Sequence, residues 1–272
     1  MLTKSSMLLG ANLPYLMGAY DHDLAPNPKK PDWGYSFTDW IGARYLASCR
    51  KMGLDAVRIW LCENAEGLLL DEAGMPVGVS PQLLRSVRAL QGMAGLAGLK
   101  IYWSLFDGNA WQRNGDELGV RIFSDEGFAE SIISHVLPEL ARVLDPRVSL
   151  GLEILNEPES MSTEVVGTDG LSWETLAVGI RRLGEAWKKL RPQIPTTAGC
   201  QAVFLPGLWC DAAKFGKPPV DAVDIHVYHQ EGGLPPREDL PVDIGDLPLL
   251  VGECGEREGN DRPGNDHLLH YF

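Results

Sequence analysis

The sequence predicts a single α/β domain of the TIM-type (β/α)8 barrel class. Three observations predict it. Strand-like and helix-like stretches alternate along all 272 residues, without a linker or low-complexity segment, and such alternation builds a parallel sheet with crossover helices. Seven stretches of similar length read as strands, more than a flavodoxin-like sheet needs. No glycine-rich phosphate fingerprint follows any of them, which disfavours a nucleotide-binding doubly wound sheet. The expected barrel, spanning 1–272 as one domain, lacks its eighth strand and helix at the C-terminal end and is expected to be a truncated product.

The elements follow in order. Residues 7–12 read as a short first strand ending at Asn12, with Pro14 after it. A loop rich in Asp, Pro and Tyr comes next, and Asp21-His22-Asp23 within it reads as a polar loop. Over 39–52, Trp40, Ile41, Tyr45, Leu46 and Met52 recur at helical spacing, and Gly53 ends the helix. Residues 54–61 form the second strand. Residues 68–77 form a small hairpin turning near Gly74. Ser80 caps a helix with Pro81 at its first position, running to about residue 96. Residues 100–106 form the third strand. The helix over 124–143 is opened by Ser124-Asp125-Glu126 and stops before Asp145-Pro146.

The fourth strand, 148–156, organises the chain. Alternation puts Leu150, Leu152, Ile154 and Asn156 on one side and Glu153, Leu155 and Glu157 on the other. Pro158 follows, and proline pushes the residue before it into extended geometry. Glu157 is therefore expected to be extended, at the point where the chain leaves the sheet. After it come a helix over 173–190, with Lys188 and Lys189 favourably near its C-terminal end, and a fifth strand over 196–201. A short helix over 206–215, a sixth strand over 221–228, a seventh over 247–253 and the start of a helix over 266–272 complete the chain. The hairpin is too short and turn-centred to supply an eighth strand, so strands one and seven are expected to keep unpaired edges.

In a barrel, residues at the carboxyl ends of the strands share one rim, where chemistry takes place. Here they are Asn12, Arg58, Glu63, Asp107, Asn156, Glu157, His226, Tyr228 and Glu253. Glu157 and Glu253 end strands four and seven, which face each other across the mouth of an eight-stranded barrel. Two carboxyl groups straddling a small gap are what glycosidic bond cleavage requires, one as acid and the other as nucleophile or base.

Leu155-Asn156-Glu157-Pro158, His226-Val227-Tyr228, Val251-Gly252-Glu253-Cys254-Gly255 and Val57-Arg58-Ile59 stand in this order on strands four, six, seven and two. In that pattern the chain resembles the clan A glycoside hydrolases, and within them the cellulase and mannanase group of glycoside hydrolase family 5. The resemblance spans residues 8–256. It implies a retaining β-glycoside hydrolase acting on a β-linked glucan, mannan or related oligo- or polysaccharide. It implies Glu157 as general acid and base, Glu253 as nucleophile, and Asn156 as the hydrogen-bond partner of the sugar 2-hydroxyl. It implies Tyr228 and Arg58 as supports of Glu253, with Arg58 keeping it ionised while burial raises the pKa of the partner acid, and His226 as a residue lining the site.

The chain departs from that family in two places. Phe106-Asp107-Gly108 replaces the usual histidine after strand three, and the tryptophan that ends strand eight has no counterpart. Trp60, Trp103 and Trp111 lie near the rim, and Trp111, in a loop, is the candidate sugar-stacking surface. Asp107 is a candidate sugar contact, although a solvated rim charge is the plainer reading for it, for Glu63 and for Glu256. Arg58 has the alternative of a structural ion pair with Asp55 or Glu63, and Glu153 is expected to pair inside the barrel. The rival function is a carbohydrate-binding barrel that is catalytically weak or inactive.

Composition narrows the partners. A formal charge of −13 argues against nucleic acid and anionic membranes. No run reaches transmembrane length. The five cysteines have no metal or redox spacing and fit reduced thiols. No cofactor and no metal are expected. Residues 1–10 lack signal-peptide character, so a cytoplasmic location is expected, or a secreted one with the signal outside this chain.

Overall fold

The computed structural model describes residues 8–18, 20–110, 117–163, 167, 170–201, 220–228 and 247–255. The expected helix over 206–215, the start of a helix over 266–272, Trp111 and Glu256 lie outside the described residues, as does the side chain of Tyr228.

Among the described residues, seven parallel strands form one sheet in the order β1 (Gly10–Asn12), β2 (Ala56–Trp60), β5 (Lys100–Asp107), β6 (Ser149–Asn156), β7 (Thr196–Gln201), β8 (Val223–Tyr228) and β9 (Leu249–Gly255). Each strand pairs with its successor in this series, and the sheet curls into a nearly closed TIM-type barrel. Among the described residues no ladder joins β9 to β1, but Asn12 Nδ2 donates to Gly252 O at 3.3 Å across that gap. β3 (Leu68–Leu70) and β4 (Pro76–Val79) make a separate antiparallel hairpin, as the turn at Gly74 predicted.

The helices lie where the apolar spacing puts them. Asp39–Lys51 is capped by Thr38, and Pro81–Ala97 by Ser80, whose hydroxyl accepts from Leu83 N. Gly98, in the left-handed region, closes the second of these, as glycine does without a Cβ penalty. Trp173–Leu190 is capped by Ser172. The helix expected over 124–143 is divided: Glu117–Ser124 precedes it, and the cap of the next helix is Asp125, accepting from Phe128 N. Ile132–Val136 is a π turn ahead of Leu137–Val143. Pro138 accounts for the widening, because its ring clashes with the carbonyl four residues back.

Strand alternation sorts the side chains. Val57, Ile59, Ile101, Trp103, Leu105, Leu152 and Ile154 join Leu83, Val87, Leu90, Ile180, Leu183 and Trp187 of the helices in one buried core. Trp103 is thus a core residue, its Nε1 donating to Ser149 Oγ, rather than a rim surface. The alternate positions Arg58, Tyr102, Ser104, Glu153, Asp224 and His226 are buried polar groups that hydrogen-bond or pair with one another.

Candidate active site

Register brings the strand ends together: Asn12 pairs with Arg58, Asp107 with Asn156, Asn156 with Gly199, and His226 with Glu253. At the centre is Arg58. Its Nη1 donates to Glu253 Oε1 at 2.5 Å and to Asn12 Oδ1 at 3.1 Å. Its Nε donates to Glu153 Oε2 at 3.0 Å, with Nη2 bound to the same oxygen. Nη2 also donates to Asn156 Oδ1 at 2.8 Å. The alternative pairs with Asp55 and Glu63 are not formed. Burial opposes the charge on Arg58, but Glu153 and Glu253 outweigh it and keep the guanidinium firmly protonated.

Glu157 and Glu253 present one carboxyl oxygen each within 4.8 Å of the other, and both lie within that distance of a ring nitrogen of His226. His226 Nδ1 is 3.1 Å from Glu157 Oε1 and 3.7 Å from Glu253 Oε2. Burial disfavours the imidazolium, yet Glu253, Glu157 and Asp224 together push the His226 pKa up to about 9. Asn109 Nδ2 donates to the other oxygen of Glu157, Oε2, at 2.5 Å.

The backbone of Glu157 differs from expectation. It is not extended but left-handed, at φ 45° and ψ 62°. Tertiary contacts override the proline preference: Glu157 N donates to Gly199 O at 2.7 Å, and the chain at Gly108 lies directly against it. A Cβ on Gly108 would sit 2.5 Å from Glu157 O and 2.8 Å from Asn156 O. Left-handed geometry at a non-glycine residue costs about 1–3 kcal/mol and is found where surrounding structure enforces it. The strict alternation expected of β6 also fails at its end. The pairing with β7 shifts between Glu153 and Asn156, so Arg58 binds both.

Asp107 is buried rather than a solvated rim charge. It accepts from Asn156 Nδ2 at 2.9 Å, Tyr20 Oη at 3.0 Å and Asn109 N at 3.0 Å. Glu63 is likewise buried, accepting from Asp21 N at 2.5 Å. Asp21 and Asp23 are fully buried too, so the segment expected as a polar loop is an internal one. Glu66 accepts from Leu24 N at 2.9 Å, and Asp23 accepts from Leu16 N at 3.2 Å. Burial pushes the Asp23 carboxyl up to about 6 and those of Glu63 and Glu66 well up. A cavity of about 20 Å³, room for one water, lies beside Glu63 and Asp107 among Phe106, Phe123 and Met161.

Beneath the carboxyl pair is a second polar layer that the rim residues did not announce. The Tyr102 hydroxyl donates to Asp224 and contacts Thr197. Gly252 N donates to Asp224 Oδ1 at 2.6 Å, and Gly199 N to Glu153 Oε1 at 3.1 Å. Asp224 and His226 are two apart on one strand, as are Tyr102 and Ser104, so period-two spacing from His226 was the available signal. Glu153–Asp224–His226 and Glu157–His226–Glu253 each gather three metal-type ligand atoms. Their carboxylates are already engaged, Glu153 and Glu253 by Arg58, Asp224 by Tyr102 and Gly252 N, and Glu157 by Asn109, and both clusters share a single imidazole. Such a set suits proton transfer among carboxylates and an imidazole better than a zinc site.

No family model matches the chain, and no curated protein resembles it in sequence. Solved structures do resemble it in fold. A β-1,4-mannanase from the sea hare Aplysia kurodai matches with a TM-score of 0.73 at 15% identity, covering 94% of this chain and 82% of that one. A β-1,4-D-mannanase from Cryptopygus antarcticus matches with a TM-score of 0.69 at 17% identity, covering 90% and 76%. An endo-1,4-β-mannanase from Eisenia fetida matches with a TM-score of 0.67 at 16% identity, covering 92% and 77%. The chain has the barrel fold that its resemblance to family 5 implies.

Proposed function

We propose that this protein is a retaining β-glycoside hydrolase, with β-1,4-linked mannan as the first substrate class to test and β-glucan as the second. The observation that carries the reading is the approach of Glu157 and Glu253 to within 4.8 Å, with Arg58 on one and His226 between them. Retaining enzymes hold their carboxyl groups about 5–5.5 Å apart, whereas inverting ones leave about 6.5–9.5 Å for a water. The shared fold with mannanases supports the choice of glycan.

In this reading Glu253 attacks the anomeric carbon while the glycosidic C–O bond breaks. Glu157 delivers its proton to the departing oxygen. Arg58 balances the charge on Glu253 before attack. A water then adds to the anomeric carbon as Glu157 takes its proton and the bond to Glu253 breaks. Asn156, fixed by Arg58 and Asp107, stands at the rim to meet the sugar 2-hydroxyl.

Reducing-end release over a panel of purified β-glycans tests the proposal. Release from mannan or glucan, lost in Glu157→Gln and Glu253→Gln, is the expected result. Binding of the same glycans without release in the wild type would support a carbohydrate-binding barrel instead.

A further inference from the structure

The family histidine after strand three is absent here, and Asn109 lies two residues beyond Asp107, which now ends that strand. Asn109 Nδ2 donates to Glu157 Oε2 at 2.5 Å. The amide is not free to turn, because Ser160 Oγ donates to Asn109 Oδ1 at 2.6 Å. Ser160 belongs to the 3-10 turn Pro158–Met161 that follows Glu157, and its N donates to Glu157 O at 3.0 Å. Asn109 N is in turn held by Asp107 Oδ1 at 3.0 Å. A closed relay therefore runs from the backbone of Glu157 through Ser160 and Asn109 to the Glu157 carboxyl.

We propose that Asn109, oriented by Ser160, is a positioning residue that fixes the rotamer and protonation balance of Glu157. This rests on the reading of Glu157 as acid and base. The ionised carboxylate accepts from the amide more strongly than the neutral acid does, so the contact favours the charged form. Without it, Glu157 would hold its proton to higher pH. The relay thus keeps Glu157 able to switch between acid in bond cleavage and base in the attack of water, a cycle that needs a pKa near working pH.

Among the described residues, the charged groups on the elements beside Glu157 are His226 from β8 and Glu253 from β9, with Asp107 at the end of β5 and Glu159 two residues on. Arg58 reaches the group through Glu253 and Asn156. None of these is altered by changing Asn109 or Ser160, so a shift in those variants reports the relay.

The test is the titration of Glu157 in the intact protein, read from carbon-13 carboxyl resonances of labelled glutamate. The Glu157 signal is assigned by its loss in Glu157→Gln. In Asn109→Ala the midpoint should rise by about one pH unit, the size expected for losing a charge-assisted hydrogen bond. Ser160→Ala should raise it less, because the amide can then turn, and serves if Asn109→Ala fails to fold. An unmoved midpoint in folded variants overturns the proposal. The same variants are assayed for kcat/KM with aryl β-glycosides. The alkaline limb should move with the titration for a poor leaving group, while a dinitrophenyl glycoside, which needs no acid, keeps its rate. Equal loss on both substrates would mark Asn109 as merely structural. A wild type that cleaves nothing would defeat the proposed function, and the titration would still decide the role of Asn109.

Discussion

Arg58 Nη1 stands 2.5 Å from Glu253 Oε1, and the opposite edge of the same guanidinium is bound to Glu153. One cation on β2 thus ties the end of β9 to the interior of β6, across the side of the barrel where β1 and β9 share no ladder. The pair is almost wholly withdrawn from water, with 4% of the Arg58 side chain and 15% of the Glu253 side chain exposed. Breaking a buried pair leaves an uncompensated charge and costs about 3–5 kcal/mol.

Arg58→Met should therefore lower the unfolding free energy by about that amount, read by urea denaturation at neutral pH. Arg58→Lys should recover only part, since an ammonium cannot span Glu253, Glu153 and Asn156 together. A loss under about 1 kcal/mol in Arg58→Met would show that the network contributes little to the fold.

Two glycines should respond in opposite directions. Gly108→Ala places a Cβ against the backbone of Asn156 and Glu157, which cannot yield as a flexible side chain would. It should destabilise the protein by about 1–3 kcal/mol and lower any hydrolytic rate through displacement of Glu157. Gly92 lies exposed within Pro81–Ala97 with open space around its Cβ direction. Gly92→Ala should raise stability by about 1 kcal/mol and leave the rate unchanged. Thermal and chemical unfolding of the two variants compares them directly.

His226 gives a pH signature. Its folded pKa is about 9 against an ordinary 6.5, so the folded state holds the proton more tightly. That stabilisation is fully present below about pH 6.5 and is lost as pH rises through about 9. The stability gap between wild type and His226→Asn should accordingly be widest below pH 6.5 and narrow toward pH 9. A gap that stays flat over that range would mean that the surrounding carboxylates do not hold the imidazolium.

Much of the barrel was legible because strand period and helix period are local signals. Ser80-Pro81 and the apolar spacing over Trp173–Leu190 fixed two helices almost to the residue. The gathering of Arg58, Glu157, His226 and Glu253 was legible because each lies at the middle or in the carboxyl-terminal half of its strand or just after it, and parallel strands bring those ends to one rim. The left-handed turn at Glu157 was not, because its causes, Gly108 just after β5 and the carbonyl of Gly199 on β7, are distant in sequence. Nor were Asp21 and Asp23, whose polar sequence conceals their burial: distant Glu63 and Glu66 bind the backbone of that segment. Asn109 escaped for the same reason, since its partners Glu157 and Ser160 lie some fifty residues on.

The central claim is that Glu253 attacks sugar while Glu157 moves the proton, and covalent trapping tests it most directly. The protein is incubated with a 2-fluoro β-mannoside or β-glucoside bearing a dinitrophenyl leaving group, and the peptides are read by mass spectrometry. The account expects one adduct, on the peptide containing Glu253, absent in Glu253→Gln. It should persist in Glu157→Gln, because that leaving group departs without an acid. Equal labelling of wild type and Glu253→Gln, or an adduct on Glu157, would contradict the account.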